Sequence, residues 1–315
     1  MDTTLDVLAL LPFDEAQRST LEAATPQARV TYATHDTVTD EQISAAHVIV
    51  GNLAPERLSC ARNLRLLQLN SAGYDKYVTP GLMPQGAQLA SASGAYGQAV
   101  SEHMFAMLLA LMKRLPSYRD DQRAHVWTDH GPVTTLAGAN VLVLGAGDIG
   151  GHFARLVSAM GATAAGVRRH GGELPQGFAA MRTMDALPEL LPEADVVASF
   201  LPSTPETRGL VDAAFLAQLK QGAWLVNGGR GDLVVEADLV AALEAGTLAG
   251  AALDVTVPEP LPVSSPLWDA PGALITPHVS GGFHLPVVLT NIARIAAENV
   301  AHVAAGEEPR NLVRL

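Results

Sequence analysis

The sequence predicts an α/β protein made of two doubly wound parallel sheets, one inserted into the chain of the other. Three observations predict it. Short apolar runs alternate with helical patterns along nearly the whole chain, which is the alternation that gives parallel strands joined by right-handed crossovers. A length of 315 residues suffices for about two domains that each bury a core. In mid-chain, residues 141–150 read Val-Leu-Val-Leu-Gly-Ala-Gly-Asp-Ile-Gly, a doubly buried strand followed by a glycine turn, so the sheet that starts there interrupts another.

Taken in order, residues 5–11 read as a strand and 14–24 as a helix capped by Asp14. Thr39 and Gln42 make a capping box, opening a helix that returns to a strand at 48–50. Residues 64–69 give another strand, followed by the turn Asn70-Ser71-Ala72-Gly73. Residues 98–113 form a long apolar helix, expected between the two domains. The stretch 115–139 is less regular and carries His125, Trp127 and His130; so long a connection is either functional or an arm that packs on a partner. Trp127 itself reads equally as a reach toward a neighbouring subunit or as a core residue. Further strands follow at 163–167, 195–200, 223–226, 251–255 and 273–275, and a last helix at 287–304 returns to the first domain. The expected domains are therefore 1–97 with 284–315, and 98–283, with a cleft at the strands' carboxyl ends.

Composition narrows the function. Apolar residues make up 48% of the chain, as in a globular protein. The net charge of −12 argues against nucleic acid or an anionic membrane surface as partner, while leaving room for an anionic substrate in a local basic pocket. The one cysteine, Cys60, permits no internal disulfide and suits a reducing compartment; it reads as a small buried or half-buried side chain. Asp2 and Asp6 near the start do not make a signal peptide, and the longest apolar run, 104–112, is too short to span a bilayer. The expected location is the cytoplasm.

The glycine turn has the spacing Gly-x-Gly-x-x-Gly. Gly145 permits the tight turn, Gly147 lets backbone approach a pyrophosphate, and Gly150 allows close helix–strand packing. The helix that follows, opening with Asp148 and Ile149, offers unpaired N–H groups to the phosphates. Strand context separates this dinucleotide signature from an ordinary glycine turn. At the end of the next strand an acid is expected to hold the adenosine ribose, and Arg168 and Arg169 stand there instead. Two guanidinium groups suit a 2′-phosphate, so NADP(H) is favoured, with NAD(H) possible.

The remaining segments carry a resemblance. Leu-Pro-Ser-Thr-Pro-Glu-Thr at 201–207, Asn-Gly-Gly-Arg-Gly-Asp at 227–232, Gly-Ala-Ala-Leu-Asp-Val at 250–255, Pro-Glu-Pro-Leu at 258–261 and Thr-Pro-His-Val-Ser-Gly-Gly at 276–282 appear in an order specific as a set. The chain resembles the D-isomer-specific 2-hydroxyacid dehydrogenase family over nearly its whole length, in the NADP-preferring, glyoxylate/hydroxypyruvate reductase-like branch. The resemblance implies a Rossmann domain inserted in a flavodoxin-like substrate domain, a homodimer, and Arg230, Glu259 and His278 as catalytic residues. It also implies that Leu201, Pro202, Thr207 and Gly228 line the cofactor, that Asp254 accepts from the nicotinamide carboxamide, and that Ser71, Ala72 and Gly73 form the substrate loop, with Ala72 and Gly73 binding the carboxylate through their N–H groups.

The chemistry of the trio stands on its own. A 2-oxo acid receiving a hydride needs its carboxylate held, its carbonyl polarised and a proton delivered to the oxygen. Arg230 offers a planar fork of donors, His278 is the natural proton donor and acceptor near neutral pH, and Glu259 orients the ring and complements an imidazolium. Taken singly, each reads as an ordinary loop residue; the motif order decides. His284 follows His278 without a third ligand nearby, so no metal is expected. Ser71 lacks the first glycine of a nucleophile elbow, since Leu69 stands there. Thr256 and Val257 depart from the residues frequent in the family, and Tyr74, Tyr96 and Phe283 are candidates to favour a larger substrate. Two rival readings remain: a nucleotide-sensing, corepressor-like binding protein of the same fold, and a dehydrogenase of a small anion such as phosphite.

Overall fold

The computed structural model describes residues 4–23, 26–169 and 173–314. In chain order the elements are β1 (Leu5–Ala9), α1 (Glu15–Ala23), β2 (Ala28–Tyr32), α2 (Asp40–Ala45), β3 (Val48–Val50), β4 (Leu66–Gln68), β5 (Gln88–Ala90), α3 (Gly97–Met112), α4 (Leu115–Ala124), β6 (Asn140–Leu144), α5 (Asp148–Ala159), β7 (Thr163–Val167) and β8 (Ala180–Arg182). There follow α6 (Leu187–Leu190), β9 (Val196–Ser199), α7 (Ala213–Leu216), β10 (Ala223–Asn227), α8 (Glu236–Glu244), β11 (Leu248–Leu253), β12 (Ala273–Ile275), α9 (Pro286–Ala305) and β13 (Leu312–Val313). The chain divides into two compact units, Met1–Tyr96 with Phe283–Leu315, and Gly97–Gly282.

The first unit holds a six-stranded sheet in the order β13-β5-β4-β3-β1-β2. Its strands run parallel except β13, which pairs antiparallel to β5. The three-residue strand β3 is buried throughout, as a central strand covered on both faces must be. One face carries a core of Leu8, Leu10, Ile43, Ile49, Leu58 and Leu67, each such side chain worth about 1.5–3 kcal/mol when fully buried. On the same unit α1 packs on α9. Asn299 of α9 is fully buried; its amide donates to Arg310 O at 3.0 Å and accepts from Arg310 N–H at 2.7 Å, and it also donates to Gln68 Oε1. That amide satisfies backbone groups where helix, sheet and terminal strand meet, as buried polar groups require.

The second unit is a seven-stranded parallel sheet in the order β12-β11-β10-β9-β6-β7-β8. Its core gathers Leu142, Leu144, Val197, Leu225, Leu239 and Leu253, and α3 packs along α5. Two parallel-sheet α/β units are the architecture the sequence predicts.

Several local expectations need correction. Residues 115–124 form the helix α4, not irregular chain. Pro116 lies in its first turn, where the missing N–H costs nothing, but α4 buries no residue, so no apolar period marks it. Trp127 is wholly exposed, which removes the core alternative for it. β1 stops at Ala9 although Leu11 and Phe13 beyond it are buried, because Pro12 brings no donor to a ladder. β11 starts at Leu248 and ends at Leu253; a Cβ on Gly250 would stand 2.7 Å from Gly272 O and 2.8 Å from the Trp224 ring, so glycine lies inside this strand for packing. Strands β2, β5, β8 and β13 carry patterns too short or too mixed to read in sequence. The helix expected to Ala24 is described to Ala23, and Ala24 lies outside the described residues.

Candidate functional site

The turn between β6 and α5 behaves as three glycines in different roles. Gly145 has φ +91°, and a Cβ there would stand 2.9 Å from Phe200 C and O. A Cβ on Gly150 would come within 2.2 Å of Gly145 O, so only glycine lets the helix start against the turn. Gly147 has nothing within 4 Å of where a Cβ would be; it borders open space. It is also the N-cap of α5, and no side chain caps that helix. The first-turn amides of Asp148, Ile149 and Gly150 therefore lack an intrahelical or side-chain partner, the arrangement that receives a phosphate. The Asp148 side chain turns away from that role: its Oδ1 lies 3.7 Å from His152 Nε2 and would meet a Cβ on Gly97 at 2.6 Å. Burial and the Arg155 charge hold the His152 imidazole below its ordinary range.

Arg168 and Arg169 follow β7 directly. Arg168 Nη2 donates to Glu173 O at 2.7 Å, which fixes the side chain, while its Nε is buried without a hydrogen-bond partner. An orphaned guanidinium N–H at this position fits an anionic ligand group. Arg169 is exposed. The loop after β9 is closed by Thr207, whose hydroxyl donates to Pro202 O at 2.7 Å and accepts from Thr204 N–H at 2.8 Å. Leu201 and Thr207 are almost fully buried, so their side chains shape the loop. Gly228 is required by packing, since a Cβ would stand 2.8 Å from Met104 Cγ.

The carboxyl ends of β10, β11 and β12 lie side by side in the sheet, and from them emerge the loops bearing Arg230, Glu259 and His278. Asn227, fully buried at the end of β10, holds the first loop by donating to Arg230 O at 2.9 Å and accepting from Gly229 N–H at 3.2 Å. Arg230 Nη1 donates to Gly229 O at 2.9 Å. A Cβ on Gly231 would stand 2.2 Å from Thr256 C and O, so the Arg230 turn lies directly against the segment leading to Glu259. Glu259 Oε1 accepts from Thr256 N–H at 3.2 Å, and its Oε2 lies 2.9 Å from His278 Nδ1. Both side chains are roughly half exposed. A carboxylate can only accept, so Nδ1 carries a hydrogen and Nε2 is the nitrogen that can give or take a proton. His278 sits at φ +52°, a conformation unusual for a side-chain-bearing residue.

That backbone is held by Asp254, which is 1% exposed. Its Oδ1 accepts from Thr276 Oγ1 at 2.6 Å and Val279 N–H at 3.0 Å. Its Oδ2 accepts from the N–H and hydroxyl of Ser280, and its carbonyl accepts from His278 N–H at 2.8 Å. All four lone-pair directions of the carboxylate are thus used within this chain, which leaves none for the carboxamide that the resemblance assigned to it.

In the first unit, the turn of Ser71, Ala72 and Gly73 follows β4 and is clamped by Asn52. Asn52 N–H donates to Asn70 Oδ1 at 2.7 Å and Asn70 N–H to Asn52 Oδ1 at 3.1 Å. Ser71 Oγ donates to Gly73 O at 2.6 Å. Tyr96, nearly buried, donates its hydroxyl to Asn70 O; burial pushes its phenol up to about 12, so it stays a donor. Tyr96 therefore supports the turn, whereas Tyr74 and Phe283 are exposed. Sequence does not single out Asn52, Asn227, Thr276 and Ser280; each lies beside a glycine or a strand end, but nothing in the sequence marks which polar side chain there will hold a loop. Among the described residues no group of three His, Cys, Asp or Glu is arranged to hold a metal ion, and no helix is long and apolar enough to cross a membrane.

Known proteins are similar to this chain in sequence and fold. The model of the D-isomer specific 2-hydroxyacid dehydrogenase NAD-binding domain matches residues 105–280. A glyoxylate/hydroxypyruvate reductase B of Pectobacterium carotovorum is 33% identical over 84% of this chain and 83% of its own. A family member of Aeromonas salmonicida superposes with a TM-score of 0.86 at 34% identity, covering 99% of each chain. A second, from Xanthobacter autotrophicus in complex with NADPH and MES, gives 0.82 at 30% identity over 99% of this chain and 98% of that one.

Proposed function

The chain belongs to the D-isomer-specific 2-hydroxyacid dehydrogenase family, and from that premise we propose that it reduces a small 2-oxo acid to the D-2-hydroxy acid with NADPH. The single observation that carries the proposal is the 2.9 Å contact of His278 Nδ1 with Glu259 Oε2, on a loop neighbouring that of Arg230. NADPH, with its pyrophosphate held at the glycine turn, would supply the hydride. Arg230 holds the substrate carboxylate and polarises the ketone. His278 Nε2 delivers the proton to the carbonyl oxygen as charge develops, and takes it back in the reverse direction. Glu259 fixes the ring by accepting from Nδ1–H. In the first unit, Asn52 and Asn70 hold the turn of Ser71, Ala72 and Gly73 rigid.

For the cofactor, Gly145, Gly147 and Gly150 shape the phosphate site, with the amides of Asp148 and Ile149 as donors. Arg168 and Arg169 take the 2′-phosphate; the buried unpaired Nε of Arg168 supports this, as does NADPH in the Xanthobacter relative. Leu201, Pro202, Thr207 and Gly228 give the wall its shape. The name of the Pectobacterium relative supports glyoxylate or hydroxypyruvate as first substrates to try. The proposal includes a homodimer acting in the cytoplasm, the first of which sedimentation checks.

A panel of 2-oxo acids with NADPH and NADH, followed at the nicotinamide absorbance, tests the reading. Glyoxylate or hydroxypyruvate turnover with preference for NADPH is expected. No turnover of any 2-oxo acid, together with oxidation of phosphite in the reverse assay, would overturn it.

A further inference from the structure

His103 is a polar residue on an otherwise mostly apolar helix, and the proposed reaction does not use it. It projects from α3 with its side chain 30% exposed, and its Nε2 lies 3.0 Å from Thr276 Oγ1 and 3.8 Å from Asp254 Oδ1. The Thr276 hydroxyl has one hydrogen and two nearby acceptors: Asp254 Oδ1 at 2.6 Å and the Met107 thioether at 3.5 Å. A carboxylate is much the stronger acceptor, so the hydrogen goes to Asp254. Toward His103 the hydroxyl can then only accept, and His103 Nε2 must carry a hydrogen.

The direction of donation is thereby set along the whole chain of groups, from His103 Nε2–H to Thr276 Oγ1–H to the Asp254 carboxylate. Asp254 is a nearly fully buried charge, costly unless every lone pair is met and an opposing charge or dipole lies near. Its other donors, Val279 N–H and the two from Ser280, all belong to the loop that carries His278, and its own carbonyl takes the His278 N–H. The loop and the carboxylate therefore hold each other, with His103 anchoring the pair to α3.

We propose that His103 is a positioning residue for the reaction: its Nε2–H, acting through Thr276 Oγ1 on the buried Asp254 carboxylate, holds the 276–280 loop in the left-handed turn that presents His278. This rests on the reading of His278 as the acid and base. A leucine at 103 removes the donor while keeping bulk. A glutamine returns an amide N–H close to the position of Nε2.

The test has two arms. In the chain labelled with ¹⁵N-histidine, long-range ¹H–¹⁵N spectra assign the tautomer, with His103 identified by the resonance lost in His103→Leu. The expected result is a ring that carries a hydrogen on Nε2, and His278 ring resonances that shift in His103→Leu and return in His103→Gln. A His103 Nε2 without a hydrogen, or an unmoved His278 ring, overturns the proposal. In the second arm, His103→Leu is expected to lower kcat by about ten- to hundredfold, the scale of a misplaced catalytic group. NADPH affinity should stay within about threefold, and His103→Gln should recover most of kcat. Equal loss in both variants, or loss confined to NADPH affinity, overturns it. Should neither variant fold, the tautomer in the parent chain decides, with the His103 ring assigned by its proximity to Thr276. A chain that turns over no 2-oxo acid defeats the proposed reaction, while the spectra still judge the positioning role.

Discussion

The two sheets of this molecule share a reversal of strand order and differ in the turn that stands at it. Each reverses its strand order around a central strand, between β1 and β3 in the first unit and between β6 and β9 in the second. In open parallel sheets that reversal makes a crevice at the strands' carboxyl ends. In the first unit the chain leaving β1 at that point carries the buried residues Leu10, Leu11 and Phe13. Helix α1 is capped: Asp14 Oδ1 accepts from Gln17 N–H at 2.9 Å and Gln17 Oε1 accepts from Asp14 N–H at 3.0 Å. In the second unit the corresponding turn is Gly145, Ala146 and Gly147, and α5 has no side-chain cap. The same reversal leads into a side-chain-capped helix in the first unit and an uncapped one in the second. Fold alone thus assigns no ligand; the turn residues and the cap do.

Four variants break or sharpen that contrast, in descending order of expected effect. His278→Ala separates holding the nucleotide from moving the proton within the second unit. Turnover should fall by roughly a thousandfold, within the range for loss of an acid–base group, while NADPH affinity by fluorescence titration stays the same. A variant that keeps its turnover removes His278 from the mechanism.

Gly150→Ala attacks the open turn itself, because the added Cβ falls 2.2 Å from Gly145 O and backbone must shift. NADPH affinity should drop about a hundredfold, or about 2.7 kcal/mol. Unchanged affinity would show that the glycine turn is not what distinguishes the two crevices.

Replacing Arg168 and Arg169 together by serine should cut the ratio of NADPH to NADH affinity by about tenfold or more, since a charge-assisted bond contributes about 1.5–3 kcal/mol. Measured with both cofactors, an unaltered ratio would place the 2′-phosphate elsewhere.

The smallest effect belongs to the first unit. Asp14→Ala should cost about 1 kcal/mol of stability by loss of the cap, read from urea unfolding, with no gain in nucleotide binding. A variant that bound NADPH at a second site would mean that the cap alone keeps the nucleotide from the first unit.

The glycine turn was readable from residues alone because each of its devices is local. Strand, turn and helix follow one another over ten residues, and glycine spacing reports where a side chain cannot go. The capping box of Thr39 and Gln42 was legible for the same reason, and the structure has both of its bonds. Helix α4 was not legible: all its side chains are at least partly exposed, and a helix without a buried face leaves no period in the sequence. The two-residue strand β13 gains its identity only from β5, more than two hundred residues earlier. At the candidate site, motif order picked out Arg230, Glu259 and His278 as a set, and the contact of the last two is present at 2.9 Å. The supports beneath them were invisible. Thr276 and Ser280 act through hydrogen bonds to Asp254 that depend on how the ends of β11 and β12 line up, and Asn227 through bonds that its own loop folds back to make.

Sequence by itself determined the alternation of strands and helices, the glycine turn, the pair of arginines after the second strand of that sheet, and the motif set that marks the family. These are decided by residue type at short spacing, where sterics and hydrogen-bonding capacity act between neighbours along the chain. Tertiary structure decided what Asp254 does. A carboxylate in a loop motif can face a ligand or its own backbone, and the choice falls to the donors that packing brings around it: Thr276, Val279 and Ser280 from one loop, with His103 from a helix some 150 residues away. A buried charge is tolerated only where such donors converge, and that convergence is a property of the folded sheet.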